Sequence, residues 1–323
     1  MWRSLNQKMK IYLIILSFII IGTVGIIYKS FADEKPKVVV VLKEVNSEYW
    51  KIIKAGSERA FQDFGIEGEV IAPKNGTTEE QLLLLERKLK ENPDVLIASP
   101  VEPDRVIPIL NKFVEKGVPT LLVDTDDPWK NKTSYIGTNN IELGKRAGQL
   151  LASQLQPGDK VALFGGDVGV RLISERIEGA ENSLKEVGID VVTTINVSDY
   201  RNEEKLVKKG MEELLQEHPD LKGVMAVTDT VALHVQDVLK KHGLSIPVTG
   251  ADGITDMLEL IEDGTLSGSV SQNPYDMGYL SVEAAAKAIK GEKVEKNIDS
   301  GVDIIVKGNA AQRLKFLKDA LEK

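Results

Sequence analysis

Cysteine is absent from the 323 residues. Disulfides, thiolate nucleophiles, zinc–thiolate sites and iron–sulfur clusters are therefore excluded, as is the lipid-modified cysteine that tethers many exported bacterial proteins. Histidine is scarce: His218, His234 and His242 are the only three, which leaves a histidine-based acid–base site little to draw on. Positive charge is outweighed. Residues 1–32 carry Arg3, Lys8, Lys10 and Lys29 and no acid, so within a net charge of −8 the remaining chain carries −12. Such a chain is a poor partner for a polyanion, and no nucleic-acid partner is expected. No Gly-, Pro- or Ser-rich linker separates independent domains.

What is present is a globular composition, 42% hydrophobic and 28% charged, at a length that suits two ordinary domains. The first 32 residues are a different material. A basic flank precedes "IYLIILSFIIIGTVGII", an uncharged run from Ile11 to Ile27. That run lies between a signal-peptide core of about 7–15 residues and a spanning helix of about 17–25. Two readings stay open: an uncleaved anchor with the rest of the chain outside the cytoplasm, or cleavage near Ala32 after "SFA" to give a secreted or periplasmic protein.

From residue 37 on, apolar strands alternate with amphipathic helices. "KVVVVL" (37–42) has the continuous β-branched character of a strand buried on both faces of a parallel sheet. A helix over 48–64 follows, with Ser47 as N-cap and Gly65 as its end. Ile53, Gly56, Ala60 and Phe64 share one of its faces. Then come strand "GEVIA", helix 78–92, strand "DVLIAS", helix 104–116 and strand "TLLVD" (120–124). After about residue 139 the theme restarts: helix 141–154, strand "KVALF" (160–164), helix 172–187, strand "DVVTTI", helix 202–217, strand "GVMAV" (223–227), helix 231–242, strand "PVTGAD", a short helix near 255–262 and strand "GSVSQ" (268–272). Two successive β-α arrays predict an α/β protein of two doubly wound parallel-sheet lobes.

Ligands of such sheets bind beyond the carboxyl ends of strands, and those ends are polar here. Strand one runs into Lys43, Ser47, Tyr49 and Trp50; others end at Asp124 and Thr125, at "GGDVG", at Thr228 and Asp229, at Asp252, and at Gln272 and Asn273. One such residue is a turn former; a series from both halves describes a ring around a cleft. Tyr49 and Trp50 either cap a core or line that cleft. "GGDVG" lacks the Lys-Ser/Thr ending of a nucleotide loop and reads as a plain βα turn. Asp229 reads as the N-cap of helix 231–242. His218 and His242 sit at helix C-termini, where they complement the dipole. No Ser-His-Asp or paired-acid spacing supports catalysis, so no enzyme, cofactor or metal is expected. Arg176, in "ISERIEGAENSLKEVG" (173–188), is expected in the first turn of its helix, where it opposes the dipole; a bidentate contact to adjacent ligand hydroxyls would favour it there.

With these stretches in view, the chain resembles the type I periplasmic sugar-binding proteins, the ribose-binding pattern above all, and shares their likeness to the ligand-binding core of lac-repressor-type regulators. The resemblance spans about residues 36–307. It is carried by "NSEYW", "TLLVDTD", "YIGTNNIELGKRAGQLL", "SERIEG", "AVTDTVALHVQDVL", "VTGADG" and "SVSQNPYDMG" in that order. The regulators' helix-turn-helix is absent. The resemblance implies that Tyr49 and Trp50 cover a sugar ring, as aromatic faces cover C–H faces, with Tyr200 a further aromatic. It implies that Asp124, Asn140, Arg176, Asp252 and Gln272 bond to the hydroxyls, with Lys43 and Ser47 on two more such positions. Departures fall in the same pocket: Ser47 for an Asn, Thr125 for an Arg, Thr228 for an Asn, Lys43 for a small hydroxyl residue. They put ribose itself in doubt and leave a sugar or polyol.

The resemblance further implies lobe one at 36–138 plus 273–300, lobe two at 139–272 plus 301–323, three crossings as a hinge, and a membrane partner. That partner is an ABC sugar permease or, alternatively, a sensor histidine kinase. "NAAQRLKFLKDALEK" lies beyond the family core and predicts a terminal helix with Leu314, Leu317 and Leu321 on one face.

Overall fold

The computed structural model describes residues 12–13, 15–17, 35–165, 170–197 and 202–322. The hydrophobic run of 11–27 expected to anchor the chain therefore lies mostly outside the described residues; among those described, no helix is long and apolar enough to cross a membrane. The chain from Lys37 onward forms a unit of its own.

In chain order that unit runs β1 (Lys37–Val41), α1 (Glu48–Phe64), β2 (Glu67–Ile71), α2 (Thr78–Glu91), β3 (Val95–Ala98), α3 (Pro103–Glu115), β4 (Thr120–Val123), β5 (Ser134–Gly137), α4 (Asn140–Ala152) and β6 (Lys160–Gly165). It continues through α5 (Arg171–Glu186), β7 (Asp190–Asn196), α6 (Glu203–Glu217), β8 (Leu221–Ala226), α7 (Asp229–Lys241), β9 (Val248–Thr249), β10 (Ala251–Asp252) and α8 (Thr255–Asp263). The last elements are β11 (Gly268–Ser271), α9 (Pro274–Ile289), β12 (Asn297–Asp299), β13 (Asp303–Val306) and α10 (Lys307–Leu321).

The strands form sheets of order β12-β5-β4-β3-β1-β2, β7-β6-β8-β9 and β10-β11-β13. The first two are parallel throughout, and β13 runs antiparallel to β11. The valines of β1 are buried because helices cover both faces of a parallel sheet. In each large sheet the order reverses at one strand, β1 in the first and β6 in the second. Those are the switch points beyond which a ligand crevice opens.

The expected strand "PVTGAD" divides. At Gly250 the chain passes from β9, paired to β8, to β10, paired to β11. A Cβ at Gly250 would lie 2.4 Å from Oδ1 of Asp229, so only glycine lets the backbone run past that carboxylate. Helix contacts are as close elsewhere. A Cβ at Gly144 in α4 would lie 2.0 Å from the carbonyl oxygen of Arg176 in α5. The two helices thus meet backbone to backbone at a site residue. Phe64, expected on the buried face of α1, is 37% exposed; its ring tilts onto Tyr279 at the rim. In α10, Leu317 is buried and Leu314 and Leu321 pack beside it on the same core cluster.

Candidate functional site

The polar residues at the strand ends do converge. Tyr49, in the first turn of α1, donates its hydroxyl to Oδ1 of Asp124 at 2.7 Å and lies 3.3 Å from Oε1 of Gln272. Gln272 Nε2 donates to Oδ1 of Asp252. That oxygen is 3.6 Å from Nη1 of Arg176. Arg176 donates from Nε to Asn140 Oδ1 at 3.0 Å and from Nη1 to the carbonyl of Val227 at 2.6 Å. One continuous chain of bonds therefore joins α1, the end of β4, the end of β11, β10, α5 and the start of α4. Thr125 Oγ1 donates to Oδ2 of Asp124 at 3.0 Å, and the Lys43 ammonium stands 3.8 Å from the same oxygen and 5.8 Å from the Trp50 ring centre. Tyr49 and Trp50 meet edge to face at 5.3 Å. Asp124 has φ +64° and Asp252 has φ +140°, conformations that L residues rarely adopt and that cluster at binding sites.

Burial governs the charges. Desolvation pushes the Asp252 carboxyl up, the nearby Arg176 pulling it partly back. It raises Tyr49, with the Asp124 charge adding to the effect, and it lowers Lys43 against the pull of Asp124. A cavity of about 750 Å³ opens beside the cluster, its wall including Lys43, Asp124, Thr125, Tyr135, Thr138 and Asn140. It is a concave space with convergent polar groups, the form small-molecule sites take.

A sequence profile described as "Periplasmic binding protein domain" matches residues 38–293. The chain belongs to the periplasmic binding protein family. It is 28% identical over 256 residues to the ribose import binding protein RbsB of Bacillus subtilis, covering 79% of this chain and 82% of that one. It is 26% identical over 277 residues to RbsB of Escherichia coli, covering 85% and 92%. Among solved structures, an ABC transporter solute-binding protein from Burkholderia graminis in complex with D-arabinose superposes with a TM-score of 0.77 at 27% identity, covering 86% of this chain and 97% of that one. A periplasmic solute-binding protein from Actinobacillus succinogenes with bound D-allose, 22% identical and covering 86% and 100%, has a TM-score of 0.80 and shares the fold.

Several expected residues of this periplasmic binding protein are held in ways the sequence does not announce. Ser47 is the N-cap residue of α1 but makes no side-chain cap bond; its hydroxyl donates to the Glu44 carboxylate instead. Thr228, not Asp229, caps α7, accepting from the Val231 N–H at 3.3 Å. Asp229 is the first residue of that helix and wholly buried; it accepts from the N–H groups of Gly253 at 2.6 Å and Ile254 at 3.0 Å and from Ser269 Oγ at 2.7 Å. It thus anchors the loop after Asp252. Arg176 lies in the second turn of α5, because that helix begins at Arg171; the dipole does not explain its placement, and the carbonyl of Val227 and the side chain of Asn140 do. Tyr200 lies outside the described residues.

Other residues at the site went unread. Glu48 accepts from Thr255 N at 2.6 Å and from Thr255 Oγ1 at 2.5 Å, capping α8 from the first turn of α1. The segments near Thr138, Gln272 and Ser300 are laced together: Ser300 Oγ lies 3.0 Å from the Gln272 carbonyl, 3.2 Å from the Gly137 carbonyl and 3.4 Å from Thr138 Oγ1. No sequence pattern announces partners 207 or 162 residues apart. The one available signal was polarity in otherwise apolar strand ends.

Proposed function

We propose that this protein is an extracytoplasmic solute-binding protein that takes up a monosaccharide or related polyol between two lobes and presents it to an ABC sugar permease. The observation that carries this is the chain Tyr49–Asp124/Gln272–Asp252–Arg176–Asn140, hydrogen-bonded except for the Asp252–Arg176 ion pair, with polar groups of both large halves turned to one place. The names of the relatives, ribose import binding proteins, and the D-arabinose in the Burkholderia structure supply the ligand class. Lobe one comprises 36–138 and 273–300, lobe two 139–272 and 301–323. Trp50 and Tyr49 cover the ring's C–H face. Asp124 and Asp252 accept from hydroxyls, Arg176 and Lys43 donate, and Gln272 does both. These groups already bond to one another, so an entering sugar exchanges internal bonds for its own and gains only where its hydroxyl geometry fits better. Closure around the sugar is the signal read at the membrane.

A second reading, a co-receptor for a membrane histidine kinase, is favoured by the hydrophobic N-terminal run in a chain with no cysteine to lipidate. In either case the binding unit stands outside the cytoplasm, held by residues 11–27 as an anchor or released by cleavage near Ala32. A thermal-shift screen of pentoses, hexoses and polyols tests the common part. A sugar at a hundred times its dissociation constant adds about 2.7 kcal/mol, a shift of several degrees; no response across the panel overturns sugar binding. Loss of sugar uptake on deletion supports the permease, and loss of sugar-responsive transcription with uptake intact supports the kinase.

A further inference from the structure

The terminal helix α10 lies beyond residues 38–293, the span matched by the family profile. It does more than cover one lobe. Leu317 and its neighbours Leu314 and Leu321 bury it on the core that includes Met257, Leu258 and Ile261 of α8. The next exposed ring, Phe316, reaches Tyr275 at the start of α9, edge to face at 5.0 Å. Between these contacts Arg313 turns inward. Its Nη2 donates to Asn273 Oδ1 at 2.7 Å and lies 3.4 Å from Ser271 Oγ.

Those two residues flank Gln272, the residue that bonds Asp252 and meets Tyr49. The segment is a difficult one to hold. Asn273 has φ +56°, its N–H lies 3.3 Å from Ser271 Oγ, and its Nδ2 donates to the Ser300 carbonyl, the next crossing, at 3.3 Å. Arg313 thus grips the amide whose other end ties two crossings together. The Arg313 charge acts on the half-buried Asp276 carboxyl, partly offsetting the rise that burial causes there. Its Nε is buried with no hydrogen-bond partner among the described residues. A donor left unsatisfied is costly, and it is retained where the guanidinium must sit to reach the crossing.

We propose that Arg313 is a positioning residue for ligand binding: through Asn273 and Ser271 it fixes the crossing that carries Gln272, and α10 is the strap that holds it there. This rests on the sugar-binding reading above. The experiment separates the two. With no native cysteine, Glu86→Cys and Glu213→Cys, both exposed, give a unique spin-label pair, one in each proposed lobe, and the interlobe distance is read without ligand. Affinities for D-ribose, D-allose and D-arabinose are measured on the full chain in parallel.

Arg313→Ala is expected to broaden the distance distribution and to weaken binding of whichever sugar binds the parent by tenfold or more. Arg313→Gln, which retains an amide donor for Asn273, is expected to lose less than threefold and serves if the alanine variant does not fold. Lys318→Ala, which removes the exposed pair between Lys318 of the same helix and Glu259 of α8, is expected to change neither readout. A parental distribution in Arg313→Ala, unchanged affinity, or the same losses in Lys318→Ala overturns the proposal. If no sugar binds the parent, the sugar reading fails, and the distance arm alone decides whether Arg313 holds the crossing.

Discussion

Arg176 is 2% exposed, with Asn140, Val227 and Asp252 around its guanidinium. It is therefore as much a part of the fold as of the site. Arg176→Ala is expected to abolish sugar binding and also to lower stability by about 1–3 kcal/mol, because it leaves the Asn140 amide oxygen and the Val227 carbonyl buried without their donor; calorimetry with chemical denaturation checks both. Asp252 sets a pH dependence. Burial moves its carboxyl from 3.8 to about 8, so the folded protein holds a proton that the unfolded chain has released. Raising the pH through that window therefore removes stability, by at most about 1.4 kcal/mol per unit. Burial raises Asp229 as well, and its charge adds to the rise at Asp252, so the slope belongs to the pair. The melting temperature is expected to fall between pH 6 and 8 and to fall less in Asp252→Asn, which removes one carboxyl of the pair. The identities of these residues were legible from strand ends and motif order. The hydroxyl of Tyr49 was not: the aromatic was read for its face, and its O–H proves to bond Asp124.

Helix-scale contacts carry the site's precision. Gly144 lets α4 approach α5 at the carbonyl of Arg176 itself. Gly144→Ala is expected to push the helices apart, costing about 1–3 kcal/mol, and to weaken sugar binding far more than that loss explains, measured by titration at a temperature where the variant is folded. Thr228→Ala removes the cap of α7 and is expected to cost about 1 kcal/mol with little change in affinity, since Thr228 bonds its own helix. The helices themselves were legible: α1 runs over 48–64 as periodicity and Gly65 predict. Their partners were not, since a glycine on a helix face records that something comes close without recording what.

For the whole molecule, Glu48 and Thr255 join the first helix to α8 across 207 residues. If that bond belongs to the closed form, Glu48→Ala should lower the closed population and with it the apparent affinity in proportion. The expected outcome is a several-fold weaker sugar affinity with an increased radius of gyration by small-angle scattering; an unchanged radius would assign Glu48 to local capping of α8 alone.

Fold class was legible in the sequence, because period and composition are local properties: β-branched runs such as Val38–Val41 suit a strand buried on both faces, and their regular alternation with amphipathic helices is the pattern of parallel strands joined by helical crossovers. The polar strand ends followed from the same reading. Tertiary structure decided which of those ends bond one another, that Thr228 caps while Asp229 anchors, that "PVTGAD" serves two sheets, and that Arg313 from beyond the family core reaches the crossing beside Gln272. Each of these depends on where distant segments meet, and a hydrogen bond's partner is set by position in space rather than by neighbours in the chain.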